Sequence, residues 1–213
     1  MVQGKYSLTY CKLRGVHSTM PKLLFDSSDS PANLYLKNFL LSLFCEHIKD
    51  ISTKSILEIG IGNGRFGKLL YRYFQSYYGV DPDREYVEIA QKENSDPRRV
   101  FYRVGSAKNI PFHQNFDIIF FALSWHFVRD KDVLKKITSL LSEQGVIVIM
   151  EPTEQVEKWA SPKLQKESSH FNSKLYAQKI KNLKEAADYL SQQDFLHIKE
   201  QRLDQRTKFR FWV

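Results

Sequence analysis

The sequence predicts an α/β fold built around a mostly parallel sheet. From Ser55 onward, short apolar runs alternate with segments of helical period, which is the pattern of successive β-α units. One apolar run, Phe116–Leu123, is too continuous for a half-exposed strand, so we expect it in the middle of the sheet. The chain has 213 residues, of which 42% are hydrophobic, and this is enough to bury one substantial core.

A leading helix precedes the alternating segments. The stretch Asp26–Pro31 combines turn residues with helix-start residues. Apolar residues then recur at three- and four-residue steps from Leu36 to Ile48, which lines them on one face of a helix. We therefore divide the chain into residues 1–50, an N-terminal segment with a leading helix that serves as a lid, and residues 51–213, the main domain.

The main domain alternates predicted strands and helices. The strands are Ser55–Gly60, Tyr78–Asp81, Val100–Val104, Phe116–Leu123 and Val146–Met150. The helices between them are Arg65–Phe74, Arg84–Gln91 and Asp130–Leu141, the last followed by a turn that ends at Gly145. A further helix is predicted over Tyr176–Leu190, and His197–Leu203 with Lys208–Val213 predicts a terminal β-hairpin.

Composition and charge narrow the classes of protein. No apolar run approaches the roughly 20 residues that span a bilayer, and the N-terminus lacks the pattern of a secretory signal, so we expect a cytoplasmic protein without a membrane partner. Cys11 and Cys45 have no metal-ligand spacing, and no metal site is predicted. The net charge of +8 would favour nucleic acid as a partner, but the cations are scattered along the chain, which is also typical of a solvated surface.

A glycine-rich loop follows the first predicted strand. Glycine permits positive φ and a close approach of ligand atoms to the backbone, and the helix that follows offers free N–H groups. A dinucleotide-binding Gly-x-Gly-x-x-Gly loop starting at Gly60 would require a third glycine at the position of Arg65, so that register fails. The loop predicts a cofactor site of another type, with a tight strand-to-helix turn as the structural alternative.

A carboxylate ends the next predicted strand. Both oxygens of Asp81 can accept hydrogen bonds from paired sugar hydroxyls at the strand tips, where open α/β sheets bind their ligands. The alternative is that Asp81 only starts a turn with Pro82. That alternative explains the residue type but not its spacing from the glycine loop.

Four ordered segments between Ile56 and Pro152 together resemble the class I S-adenosylmethionine-dependent methyltransferases, in particular their small-molecule type. The first two are the loop Glu58-x-Gly-x-Gly-x-Gly and the acid Asp81. Val104–Phe112 is similar to the segment after the third strand, although Ser106 stands where the family commonly has an acid that meets the adenine. The fourth combines Phe116–Phe120 and Leu140–Val146, which are similar to the fourth strand and the turn into the fifth.

The resemblance implies a Rossmann-like three-layer sandwich with a seven-stranded, mostly parallel sheet and a C-terminal antiparallel hairpin. It implies that residues 51–213 bind S-adenosyl-L-methionine as cofactor and transfer its methyl group to a small-molecule acceptor. In this interpretation the carbonyls of Gly60 and Leu123 hold the methionine ammonium, and Asp81 holds the ribose. The implied cofactor-binding residues are Glu58, Gly60, Gly62, Gly64, Asp81, Pro82, Ser106, Ala107 and Leu123.

The acceptor is expected to enter beside the end of the fourth strand. His126 is the one titratable group there that is suited to take a proton near neutral pH, which makes it the candidate catalytic residue. The alternative is a histidine that caps a helix or packs among aromatic rings. The aromatic residues of the expected lids can line an apolar acceptor pocket or belong to the core; they are Tyr35, Trp159, Phe171 and Tyr176.

Two other functions stay open at this point. An RNA or protein methyltransferase is favoured by the positive charge, and the cations concerned are Arg98, Arg99, Lys135, Lys136, Arg202, Arg206, Lys208 and Arg210. A non-catalytic partner subunit that keeps the fold and binds the cofactor is the second alternative. No Asp/Asn-Pro-Pro-Tyr/Phe segment follows the fourth strand, which disfavours methylation of an exocyclic adenine amine. The sequence leaves the oligomeric state open.

Overall fold

The computed structural model describes residues 31–94, 96–125, 131–152, 200–202 and 209–212. Four α-helices lie in these ranges: α1 (Pro31–His47), α2 (Arg65–Leu70), α3 (Arg84–Glu93) and α4 (Lys131–Ser139). The strands are β1 (Ser55–Ile59), β2 (Ser76–Asp81), β3 (Val100–Val104), β4 (Phe116–Ala122), β5 (Leu141–Pro152), β6 (Glu200–Arg202) and β7 (Phe209–Trp212). Within the same ranges, no helix combines the length and the apolarity that crossing a membrane requires.

The first five strands form a parallel sheet in the order β3-β2-β1-β4-β5. The chain moves outward from β1 to β3 and then returns to the other side of β1, so the direction of winding changes between β1 and β4. Ligands of open α/β sheets bind at such a switch point, beyond the carboxyl ends of the strands. The predictions of a parallel α/β fold and of a central position for Phe116–Leu123 are confirmed.

Two short strands extend the sheet beyond β5. Strand β7 pairs antiparallel with the end of β5 and with β6. Residues 203–208, which contain the turn of the predicted hairpin, lie outside the described ranges, and so does the predicted helix Tyr176–Leu190. The seven-stranded sheet with its C-terminal hairpin therefore stays a prediction.

Side chains from the two faces of the sheet enter two separate apolar clusters. Helices α1, α2 and α3 contribute to one cluster, where Phe120 of β4 makes edge-to-face contacts with Phe44 at 5.9 Å and with Phe66 at 5.8 Å. Such aromatic pairs contribute about 0.5–1.5 kcal/mol each beyond their buried area. Helix α4 packs on the opposite face through Val133 and Ile137. The described part of α1 thus belongs to the core, while a lid role for residues 1–50 stays a prediction.

The predicted and observed elements differ most at the start of β5. The prediction places a turn at Gly145, whereas the strand begins at Leu141 and contains that glycine. The register shifts, because Phe116 pairs with Leu141 and Ile118 pairs with Val146. A Cβ atom on Gly145 would lie 3.0 Å from the carbonyl oxygen of Phe116, so glycine allows the extra residues to bulge next to β4.

Substitution Gly67→Ala tests how closely α2 packs on the sheet. Alanine normally stabilises a helix relative to glycine, but a Cβ atom at Gly67 would overlap the Tyr102 hydroxyl and lie 3.1 Å from Cε1 of Tyr77. We expect the free energy of unfolding to fall by about 1–3 kcal/mol, as for other overpacked cores. Urea denaturation measures it.

The control for this prediction is the double variant Gly67→Ala/Tyr102→Phe, which removes the hydroxyl that the new methyl group meets. It should recover part of the lost stability. An alanine variant as stable as the original chain would contradict the packing described.

Candidate cofactor-binding site

The loop between β1 and α2 needs glycine for two separate reasons. Gly60 has φ +82°, and a Cβ atom there would overlap Cβ of Ser124, so glycine lets the end of β4 approach the end of β1. Gly62 has φ +50°, and a Cβ atom there would meet no atom within 4 Å, since it would project into open space. Gly64 has a packing role, because its Cβ would lie 2.8 Å from Cβ of Ala90 on α3.

Asp81 joins this loop to the end of β2. The residue is 9% exposed. Oδ2 accepts a hydrogen bond from the backbone N–H of Gly62 at 2.8 Å, and Oδ1 accepts one from the N–H of Asp83 at 2.9 Å. The turn alternative is therefore true in part, since Asp81 does hold the turn that precedes α3. Each oxygen keeps further acceptor capacity for a ligand.

A cavity of about 500 Å³ opens at the carboxyl ends of the parallel strands. Its volume lies in the range of small-molecule sites. Seven of the nine predicted cofactor residues line it: Gly60, Gly62, Asp81, Pro82, Ser106, Ala107 and Leu123. Six further wall residues were not predicted as site residues: Ile59, Tyr86, Gly105, Lys108, Ser124 and Val133. Glu58 and Gly64 are not part of the wall.

A tight turn after β3 forms one side of the cavity. Ser106 and Asn109 exchange backbone hydrogen bonds of 3.2 and 2.9 Å, and the Ser106 hydroxyl also accepts from the N–H of Asn109 at 3.3 Å. Ala107 lies at the tip of this turn, and its N–H donates to no group in the described part of the chain. The turn therefore offers one free backbone donor and one hydroxyl donor to the cavity.

The end of β4 forms another wall and is held in an unusual conformation. Leu123 has φ +63°, a left-handed value that a branched side chain rarely adopts. Its N–H donates to the carbonyl of Met150 on β5 at 2.8 Å. The hydroxyl of the next residue, Ser124, donates to the carbonyl of Ile59 on β1. No local sequence pattern indicates either contact, because the partners are distant in the chain.

Glu58 lies beneath the glycine loop rather than in the cavity. It is fully buried on the α2 face of the sheet, where Tyr77 donates a hydrogen bond of 2.7 Å to Oε2, while Oε1 has no hydrogen-bond partner among the residues that the structure describes. Burial raises the pKa of the Glu58 carboxyl to about 8, and the negative charge of Asp81 adds to the increase, while the Tyr77 hydrogen bond opposes it. Burial likewise raises the pKa of the Tyr77 hydroxyl well above its ordinary value.

The predicted catalytic residue, His126, lies outside the described residues, which resume at Lys131. The same holds for Trp159, Phe171 and Tyr176, and only the backbone of Tyr35 is described. Among the described residues, no group of histidine, cysteine, aspartate and glutamate is arranged to hold a metal ion.

Residues 57–149 match the family model for a methyltransferase domain. Over this segment the chain is similar to methyltransferase domains. The match begins at the third residue of β1 and ends within β5, so it contains the glycine loop, Asp81, the turn after β3 and the end of β4. The resemblance that these motifs carry in the sequence is confirmed.

Curated relatives of the methyltransferase domain come from bacteria and yeast. The chain is 27% identical over 100 residues to the uncharacterised methyltransferase YcgJ of Bacillus subtilis (strain 168), covering 45% of this chain and 40% of that protein. It is 25% identical over 97 residues to the probable S-adenosylmethionine-dependent methyltransferase CRG1 of Saccharomyces cerevisiae, covering 43% of this chain and 33% of that protein. The chain thus spans less than half the length of these two relatives.

Solved structures share the fold at low sequence identity. The plantazolicin methyltransferase BpumL, in complex with a pentazolic desmethylPZN analogue and SAH, is 15% identical with a TM-score of 0.63, covering 86% of this chain and 85% of that one. A putative sarcosine dimethylglycine methyltransferase from Galdieria sulphuraria is 20% identical with a TM-score of 0.53, covering 63% and 54%. Both show that the Rossmann-like methyltransferase fold extends over the domain.

The raised pKa of Glu58 predicts a pH-dependent stability that Glu58→Gln should remove. The folded state keeps a proton that the unfolded chain loses near pH 4.5, so stability falls as the pH rises toward the folded pKa of about 8. Glutamine does not titrate and can still accept from Tyr77. We compare the free energy of unfolding of Glu58→Gln with that of the original chain. The difference, variant minus original, should be about 2–4 kcal/mol larger at mildly alkaline pH than at acidic pH.

Thermal denaturation across this pH range measures the difference, and Glu88→Gln, an exposed position on α3, serves as the control. Parallel pH profiles for the original chain and Glu58→Gln would contradict the burial of an uncharged carboxyl group.

Proposed function

We propose that this chain is an S-adenosylmethionine-dependent methyltransferase that acts on a small-molecule acceptor in the cytoplasm. The observation that carries the proposal is the contact between Asp81 and the N–H of Gly62 at the wall of the cavity. It brings the glycine loop and the sugar-binding acid of the family to one place. BpumL, which has a similar fold, is known in complexes with SAH and with desmethylPZN analogues.

The residues at the cavity fit this cofactor. Gly62 leaves open a space that any side chain would occupy, so a ligand can lie against the loop. Asp81 has acceptor capacity left for two ribose hydroxyls. The N–H of Ala107, which donates to no group among the described residues, is suited to an acceptor nitrogen of the adenine ring. Glu58 does not line the cavity and its carboxyl is uncharged at neutral pH, so it does not contact the cofactor in this proposal.

Catalysis in this proposal is mainly alignment. When bound, S-adenosylmethionine supplies a methyl group on a positively charged sulfur. The carbonyl oxygens of Gly60 and Leu123 would accept hydrogen bonds from its ammonium group, and Asp81 would accept hydrogen bonds from its ribose hydroxyls. Ordering of this kind can lower the barrier by several kcal/mol, up to about 7–11 in favourable cases. His126 then takes the proton that an oxygen or nitrogen acceptor loses.

The net charge favours an RNA acceptor, but the hydrogen bonds of individual basic side chains give that acceptor less support. The guanidinium of Arg99 donates to the carbonyls of Phe74 and Gln75, so it fastens the start of β2. Lys136 donates to the carbonyl of Lys108 at 2.8 Å. Two of the eight cations named for the RNA alternative thus make contacts within the protein, which favours the small-molecule acceptor. Salt-dependent RNA affinity would support the alternative, and cofactor binding without turnover on any acceptor would support a non-catalytic subunit.

Substitution Asp81→Ala should weaken cofactor binding. It removes two charge-assisted hydrogen bonds to the ribose and the contact with Gly62, so we expect the Kd for S-adenosylmethionine and for S-adenosylhomocysteine to rise by about 10- to 100-fold. Isothermal titration calorimetry measures both.

Asp83→Ala is the matched control. Asp83 caps α3 by accepting from the N–H of Glu85 at 2.9 Å and does not line the cavity. Its loss should cost about 1 kcal/mol of stability and leave the affinities within about threefold of the original, a free-energy change smaller than one hydrogen bond to a charged group. Wild-type affinity in Asp81→Ala would refute the assignment of the ribose site.

Substitution His126→Ala should separate catalysis from binding. A general base contributes about 10²–10⁴-fold to the rate, so we expect turnover of an acceptor to fall by at least 100-fold while the Kd for the cofactor stays unchanged. Single-turnover assays together with calorimetry measure the two. Equal losses in both, or a loss in neither, would remove His126 from the catalytic role.

A further inference from the structure

Ser124 lines the cavity, but the proposed function assigns it no role. Its side chain is 6% exposed. The hydroxyl donates to the carbonyl of Ile59, a residue 65 positions earlier in the chain. This hydrogen bond runs from the end of β4 to the end of β1, the two strands between which the winding of the sheet changes direction.

The residue before Ser124 is strained. A left-handed φ costs a non-glycine residue roughly 1–2 kcal/mol, so Leu123 would return to an ordinary conformation unless its neighbours held it. Two contacts do so: its own N–H donates to Met150 at 2.8 Å, and Ser124 is fastened to Ile59. Loss of the second contact would let the peptide that carries the Leu123 carbonyl rotate.

The hydrogen bond from Ser124 to Ile59 also holds the backbone next to the Gly60 carbonyl. Gly60 follows Ile59 directly, and its missing side chain is what lets Cβ of Ser124 come so close. The carbonyl-bearing residues Gly60 and Leu123 are thus each one residue away from the two ends of the Ser124–Ile59 bond. Both residues line the cavity.

We infer that Ser124 is a positioning residue for the amino-acid end of the cofactor. Its hydroxyl fixes the separation of the Gly60 and Leu123 carbonyls, so that both accept hydrogen bonds from a single ammonium group. This inference rests on the proposed function. Its consequence is selective: Ser124 supports the binding of ligands that carry the methionine-derived ammonium and has no effect on adenosine ligands that lack it.

The test compares two ligands on one variant. S-adenosylhomocysteine carries the amino-acid end, whereas 5′-methylthioadenosine keeps the adenosine and the thioether without it. For Ser124→Ala we expect the Kd of S-adenosylhomocysteine to rise about tenfold, which is about 1.4 kcal/mol, and the Kd of methylthioadenosine to change less than about twofold, within the error of such a comparison. Calorimetry measures both.

Two further variants make the comparison sharper. Ser106→Ala removes a hydroxyl on the adenine side of the cavity, so it should weaken both ligands by the same factor. Ser124→Cys keeps the size of the side chain but has a weaker donor, and it should give an intermediate change in the ratio of the two affinities. It also serves if the alanine variant is too unstable to study.

Equal weakening of both ligands by Ser124→Ala, or no weakening of either, would overturn the inference, because a general loosening of the strand ends does not distinguish the two ligands. A wild-type chain that binds methylthioadenosine and S-adenosylhomocysteine equally well would also overturn it, while leaving the adenosine site in place. A wild-type chain that binds neither ligand would overturn the proposed function and this inference together.

Discussion

The geometry of the site depends on the two hydrogen bonds that the Asp81 carboxylate accepts. One of its oxygens holds the N–H of Gly62 at the crest of the glycine loop, and the other holds the turn that leads into α3. Asp81 is buried at the end of β2, so its hydrogen bond with Gly62 keeps the glycine loop close to the sheet. The left-handed conformation of Gly62 then turns its bare Cα toward the cavity and not toward protein.

The topology of the sheet brings four independent segments to this one place. The loop after β1, the acid at the end of β2, the turn after β3 and the strained end of β4 are far apart in the sequence, and parallel pairing aligns their carboxyl ends. Each segment contributes differently. The glycine loop supplies backbone N–H and carbonyl groups, β2 supplies a carboxylate, the turn after β3 supplies a hydroxyl, and the end of β4 supplies the left-handed backbone at Leu123. A polar ligand with several functional groups can therefore be bound along its whole length.

Local patterns predicted the parallel fold, the glycine loop and Asp81 because each depends on residues that are close in sequence. They could not predict the bond from Ser124 to Ile59, since its two ends belong to different strands. They also predict a cofactor contact for Gly64, which stays a prediction; its missing side chain makes room for Ala90 on α3. Contacts between distant elements decide such roles, and a single sequence does not encode them in any readable spacing.

We propose that the space between the glycine loop and Asp81 is the cofactor site. Titration of the ¹⁵N-labelled chain with S-adenosylhomocysteine, followed by nuclear magnetic resonance, tests it most directly. The account predicts saturable shifts of the backbone amide signals of Gly60, Gly62 and Ala107, with little change at exposed positions on α3 that face away from the cavity. Unchanged signals at the loop, or shifts confined to another part of the chain, would contradict the account.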